Sequence, residues 1–195
     1  MRVIAGTAKG VPLTAPRGGT RPTTDRVREA VFSVLADWAG TGGASAETQL
    51  AGLSVLDLYA GSGAVAFEAA SRGAGPVVAV DAAKSALTVM QTNAKNTGLP
   101  VLARRGLVEA YLSTTPHRFD VVWLDPPYDL PDANLASVLA RLCDGGWVAE
   151  NGLVAVERSS RSPQLAWPPR LSQHWIRRYG ETVVYFSQIQ REVVV

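Results

Sequence analysis

The sequence predicts an α/β domain built on a mainly parallel sheet. Short runs rich in Val, Leu and Ala alternate with helical stretches over most of the chain. Those runs are almost continuously apolar, as expected for strands covered on both faces. Glycines Gly73, Gly98 and Gly145 follow three of the helical stretches, where a helix C-cap is expected. A length of 195 residues fits one domain with at most a small appendage.

In chain order, Arg2–Ala5 and Gly10–Leu13 can pair as a small hairpin through Gly6–Lys9. A helix follows from about Thr24, with Thr24 or Asp25 as N-cap. Val27, Ala30, Val31, Val34, Leu35 and Trp38 recur along it at helical spacing. The composition of Ala39–Gly52 marks a mobile loop. Strands are predicted over 53–59, 76–81, 101–105, 119–125 and 152–158, and helices over 64–72, 83–96, 107–114 and 132–144. Residues 171–190 read as two further strands around Tyr179–Gly180–Glu181, an antiparallel hairpin at the sheet edge. The expected division is an extension over 1–52, made of hairpin, helix and flexible loop, and an α/β domain over 53–195.

Composition removes several function classes. One cysteine, Cys143, excludes an intrachain disulfide and a cysteine-based zinc site, and no metal is expected. Cys143 lies in the run LASVLARLC and reads as a core residue. No run of about 18 apolar residues is present, and the first residues lack a signal-peptide core, so a cytoplasmic protein is expected. The net charge of +2 hides an uneven distribution. Residues 1–28 carry six basic side chains and one acid, residues 53–157 seven basic and eleven acidic, and residues 158–195 six arginines and two glutamates. An acidic middle between basic ends can mark a nucleic-acid surface or simply a solvated face.

The first predicted strand of the α/β domain runs into Asp57-Leu58-Tyr59-Ala60-Gly61-Ser62-Gly63 and then a helix. Such a turn lets a ligand approach backbone amides closely. Position 66 is Ala and an acid precedes the loop, so the dinucleotide pattern G-x-G-x-x-G is not met. Asp57 would repel a pyrophosphate and suits a cationic ligand. The next strand ends in Asp81, placed for ribose hydroxyls or for capping the following helix. The fourth strand ends in Asp125-Pro126-Pro127-Tyr128. Two prolines fix φ and remove two donors, leaving carbonyls as acceptors beside the Asp125 carboxylate and the Tyr128 ring. That set suits an exocyclic amino group on a planar base. Read structurally, the same tetrapeptide is a rigid turn.

D-x-Y-A-G-S-G followed by a strand-ending Asp resembles the S-adenosylmethionine-dependent methyltransferases with a Rossmann-like core. D-P-P-Y resembles the amino-methyltransferases among them. Met1–Gly6, Lys9-Gly10, Leu13, the run R-P-T-T-D-R-V-R-E-A-V-F over 21–32 and the late G-L-V-A-V-E look like the RsmD family. These are bacterial enzymes that methylate N2 of one guanine in 16S ribosomal RNA, conventionally number 966. The resemblance implies a Rossmann-like methyltransferase fold with S-adenosylmethionine as cofactor. It places Asp57, Tyr59, Gly61, Ser62 and Gly63 at the methionine end, Asp81 and Ala82 at the ribose, and Leu107 and Val108 at the adenine. The family often has a polar residue where Leu107 stands, and plain core serves equally as a reading of Leu107. Thr23 is expected near the methionine end, although helix capping explains it nearly as well. Asp125, Pro126, Pro127 and Tyr128 form the catalytic set. Arg2, Lys9, Arg17 and Arg21 are expected to touch RNA phosphates, against a reading as solvated surface residues. Arg26 and Arg28 are expected to pair with Asp25 or Glu29. The implied partner is 16S rRNA within the 30S subunit or an assembly intermediate, acted on by a monomer with no obligate protein partner and no membrane. DNA adenine-N6 or protein glutamine methylation remains an alternative, as does a noncatalytic RNA-binding protein with a vestigial fold.

Overall fold

A computed structural model describes residues 1–16 and 24–189. Its centre is one seven-stranded sheet: β1 (Val55–Leu58), β2 (Val77–Asp81), β3 (Val101–Arg105), β4 (Phe119–Leu124), β5 (Val148–Ser159), β6 (Leu171–Tyr179) and β7 (Thr182–Ile189). Their spatial order is β3-β2-β1-β4-β5-β7-β6. Neighbours among β1 to β5 pair in parallel, while β7 is antiparallel to both β5 and β6. The predicted hairpin is therefore present, but β6 runs with the parallel strands and β7 runs against them. As a consequence the hairpin tip lies at the carboxyl edge of the sheet. The chain leaves β1 toward β2 and β3, then crosses back to β4. The switch point between β1 and β4 opens a crevice at that same edge, where open α/β sheets bind ligands.

Helices cover both faces. α1 (Asp25–Trp38), α2 (Ala64–Ser71) and α3 (Lys84–Thr97) pack on one side with Val55, Ala79, Val121, Trp123, Leu153 and Ala155. α4 (Val108–Tyr111) and α5 (Asp132–Asp144) pack on the other with Leu56, Leu58, Val80, Val122, Leu124 and Val156. The period-2 alternation of strand side chains thus divides the core into two layers. Cys143 is buried in the second layer, as expected, and burial pushes its thiol up to about 11.

Several expectations need correction. β3 is an edge strand with mostly exposed or half-buried residues, so its apolar run does not mean two covered faces. The predicted 107–114 helix shortens to the single turn of α4. β5 begins four residues earlier than the predicted 152. Thr24 is the N-cap of α1, its hydroxyl accepting from the Val27 N–H at 3.3 Å. The buried face of α1 is Val27, Arg28, Val31, Phe32, Leu35 and Ala36, rotated from the one the spacing predicts. Arg28 can lie inside because its guanidinium donates to the Arg2 carbonyl at 2.6 Å and to Asp25 at 3.0 Å. Gly145 is the C-cap of α5, as expected, and Gly146 after it takes the left-handed conformation, at φ 73.

The first residues form the expected hairpin in minimal form. One bridge joins Arg2 and Pro12, and Val3 N–H donates to Val11 at 3.0 Å while Gly10 N–H donates to Val3 at 2.9 Å. This hairpin sits on α2. Glu68, fully buried, accepts from the Ile4 and Ala5 N–H groups at 2.7 and 3.0 Å and from Arg72 at 2.8 Å. Ser71 accepts from the Ala8 N–H and donates to the Ala5 carbonyl. Gly6 packs so closely that an added Cβ would stand 1.8 Å from the Ser71 carbonyl oxygen. Arg72 also lies over the Phe32 ring, 5.0 Å from its centroid, joining α2 to α1. Residues 39–52 form a series of turns in which Leu50 is fully buried and its N–H donates to the Arg72 carbonyl.

Candidate functional site

The glycine loop follows β1. Gly61 and Gly63 adopt φ of 53° and 74°, the left-handed region that glycine enters without penalty. A Cβ on Gly63 would also meet Phe67 at 2.9 Å and Met90 at 3.2 Å. Tyr59 enters the loop at φ 61, a strained value for an aromatic residue. Its hydroxyl is buried with no hydrogen-bond partner among the described residues. Burial, and then the charge of Glu109, holds it above the usual phenol range.

Three side chains shape this loop from below. Asp81 accepts the Gly61 N–H on Oδ2 and the Ala83 N–H on Oδ1, both at 2.8 Å, and so binds the end of β2 to the loop after β1. Asp57 is 1% exposed and accepts the Ala66 N–H at 3.1 Å. Burial pushes its carboxyl up to about 8; the Ala66 bond opposes this, and the Asp81 charge adds to it. Asn93 of α3, fully buried, donates to the carbonyls of Ser62 and Thr14 at 3.0 Å and accepts the Thr14 N–H at 2.8 Å. It therefore holds the N-terminal segment against the loop.

The turn expected to meet adenine follows β3. Gly106 N–H donates to the Asp81 carbonyl at 3.0 Å, bringing this turn beside β2. Leu107 is 63% exposed and is not a core residue, which removes that reading; Val108 is buried beneath it. Ala82 is exposed and its carbonyl accepts from Arg105 at 3.3 Å.

At β4 the Asp125 N–H donates to the Leu58 carbonyl at 3.3 Å, which places D-P-P-Y against the start of the glycine loop. Pro126 is buried and Pro127 exposed, and the Pro127 carbonyl accepts the Leu130 N–H at 3.0 Å, closing the turn. The Pro127 oxygen is thus engaged within the loop. Tyr128 is 66% exposed and lines a cavity of about 380 Å³ with Thr24, Arg26, Val27, Glu157 and the hairpin tip Arg178–Thr182.

Of the remaining expected residues, Arg2 and Lys9 are exposed and border one smaller cavity with Asp25, Arg26 and Glu29. Arg2 also approaches Asp25 at 4.0 Å. Arg28 pairs with Asp25 as expected. Arg17, Arg21 and Thr23 lie outside the described residues. The sequence reading missed Glu68, Asn93 and Glu157. Glu68 and Asn93 carried a signal, being polar residues on otherwise apolar helix faces. Glu157 carried another: it is an acid directly after the apolar run Gly152–Val156, as Asp81 follows Val77–Val80.

No group of three or more His, Cys, Asp or Glu among the described residues could hold a metal ion. No helix among them is long and apolar enough to cross a membrane.

The strand order, with β7 reversed between β5 and β6, is the Rossmann-like fold of the S-adenosylmethionine-dependent methyltransferases. Solved structures share it. The Escherichia coli protein yhhF superimposes with a TM-score of 0.83 over 98% of this chain and 99% of that one, at 24% identity. The Thermus thermophilus 16S rRNA N2 G1207 methyltransferase RsmC, solved with AdoMet and guanosine, gives 0.66 over 90% of this chain and 44% of that one, at 23% identity. At these identities the likeness shows the fold. Sequence similarity goes further. A family model described as conserved hypothetical protein 95 matches residues 1–188. The ribosomal RNA small subunit methyltransferase D of Escherichia coli K12 is 31% identical over 204 residues, covering 98% of this chain and 90% of that protein. The chain belongs to this family, the RsmD family of the sequence resemblance.

Proposed function

We propose that this protein transfers a methyl group from S-adenosylmethionine to N2 of a guanine in 16S rRNA, the one conventionally numbered 966. The observation that carries the reading is the D-P-P-Y turn fastened to the glycine loop by the Asp125–Leu58 hydrogen bond. It sets an amino-group acceptor directly beside a loop open to a small ligand.

The residues present fit the cofactor. Gly61 leaves open space for close approach, Leu107 offers an exposed apolar surface beside β2, and each Asp81 oxygen keeps a lone pair for a ribose hydroxyl beyond its one backbone bond. When bound, the cofactor supplies an electrophilic methyl group on a sulfonium sulfur. The protein's part is placement. Asp125 and the Pro126 carbonyl accept the N–H bonds of the amino group and turn its lone pair toward the methyl carbon, while Tyr128 stacks on the base. The new N–C bond forms as the C–S bond breaks. The sulfur keeps the bonding pair, and the amino nitrogen then loses a proton to water.

The extension over 1–52 is the RNA-contacting part of this reading. Arg2 and Lys9 are exposed on one side of it, and Arg17 and Arg21 continue the same basic stretch of sequence. The protein works as a cytoplasmic monomer on the 30S subunit or its assembly intermediate. The test is incubation with labelled S-adenosylmethionine and undermethylated 30S particles, naked 16S RNA or duplex DNA, followed by nucleoside mapping. Label is expected in N2-methylguanosine of the particles. Label in DNA adenine, or none in guanine, would overturn the reading.

A further inference from the structure

Glu157 is a carboxylate the proposed chemistry leaves unused. It ends the apolar run Gly152–Val156 and is only 8% exposed. In the parallel pairing Leu124 stands opposite Val156, so Asp125 and Glu157 each directly follow one member of the last paired couple on adjacent strands. Ala155, two residues earlier on β5, packs on the α1–α2 face of the sheet with Trp123 of β4, so by alternation Glu157 belongs to that face, on which D-P-P-Y follows β4. Glu157 lines the same cavity as Tyr128. An acid and the aromatic ring that closes D-P-P-Y therefore share one opening.

We infer that Glu157 reads the edge of the target base by accepting the N1–H of guanine, while Asp125 and Pro126 hold the neighbouring N2 amino group. The inference rests on the guanine-N2 reading above and assigns its specificity. Of the three bases with an exocyclic amino group, only guanine has a ring N–H beside it. Adenine and cytosine present a ring nitrogen lone pair there, which a carboxylate repels. Two carboxylates one strand apart match two adjacent donors, and a site built on such hydrogen bonds rejects a base that cannot make them.

The test uses the full chain and small subunits reconstituted with guanine or 2-aminopurine at the target position. 2-Aminopurine keeps the amino group but has a lone pair at N1. The wild-type protein should prefer guanine by at least about 100-fold in kcat/KM. Glu157→Gln, whose amide can donate to that lone pair, should lose about 100-fold on guanine and bring the two substrates within about fivefold of each other. Glu181→Gln, on the rim of the same cavity, should leave the wild-type preference intact. Wild-type protein that methylates both bases equally well would overturn the inference even if the variant failed to fold. So would a Glu157→Gln protein that keeps the wild-type preference, or a Glu181→Gln protein that loses it. Absence of N2-methylguanosine from the wild-type reaction would instead overturn the underlying reading.

Discussion

At the β1–β2 end of the sheet the carboxylates Asp57, Asp81 and Glu68 are bound to backbone amides, whereas at the β4–β5 end Tyr128 and Glu157 line an open cavity. Asp57 holds Ala66, Asp81 holds Gly61 and Ala83, and Glu68 holds Ile4 and Ala5. Across the switch point, Pro127 and Tyr128 are exposed, and the cavity beside them is walled by a hairpin tip and the start of α1. The difference matches the two tasks. A small flexible cofactor is best met by a loop already fixed in shape, because ordering it on binding would cost affinity. A base presented by a large RNA needs an opening that a polymer can reach.

The largest expected effect falls on the open side. Asp125→Ala should lower methyl transfer to 30S particles by at least about 100-fold, the scale of losing an oriented polar partner at a reacting group. Cofactor affinity, measured by calorimetry, should remain near the wild-type value. Joint loss of affinity and folding would make D-P-P-Y a structural turn and erase the contrast between the two ends.

On the closed side the effect should appear in stability. Glu68→Ala removes the acceptor for two backbone amides and leaves Arg72 buried beside its remaining partner Gln49. A loss of about 3–5 kcal/mol in urea unfolding is expected, typical of breaking a buried pair from one side. A loss below about 1 kcal/mol would mean that the N-terminal hairpin is held by apolar packing of Val3, Ala8 and Leu13 alone.

The third effect concerns pH. The folded Asp57 carboxyl is raised from 3.8 to about 8, so between those values the folded state holds a proton that the unfolded chain releases. Stability contributed by Asp57 is therefore greatest below about pH 4 and falls as pH rises toward 8. Asp57→Asn should flatten that slope and make the protein relatively more stable at pH 8 than at pH 5. Urea unfolding at the two pH values measures it, and an unchanged slope would show that Asp57 is ionised in the folded protein.

Much of this architecture was legible from local signals. Strand and helix alternation placed every element of the sheet to within a few residues, because short apolar runs bounded by turn signals are hard to mistake. The glycine loop, the acid ending β2 and D-P-P-Y stood out because each combines unusual residues at a strand end. β3 and the buried face of α1 were misjudged for the same reason as each other: exposure depends on which element lies alongside, and no single segment records its neighbour. Arg28 entered the core only because the Arg2 carbonyl waits there.

By itself the sequence determined the order of elements and the family, and it proposed the two halves of the site. These follow from period, from residue type at strand ends and from long runs of matched residues. Only the tertiary structure decided that Glu68 and Asn93 bind the N-terminal segment to α2 and the cofactor loop, across 64 and 79 residues of chain. It also decided that Leu124 and Val156, the residues before Asp125 and Glu157, stand opposite each other. Strand register and buried polar contacts are set by which distant segments pair, and that pairing minimises the free energy of the whole sheet rather than of any stretch of chain.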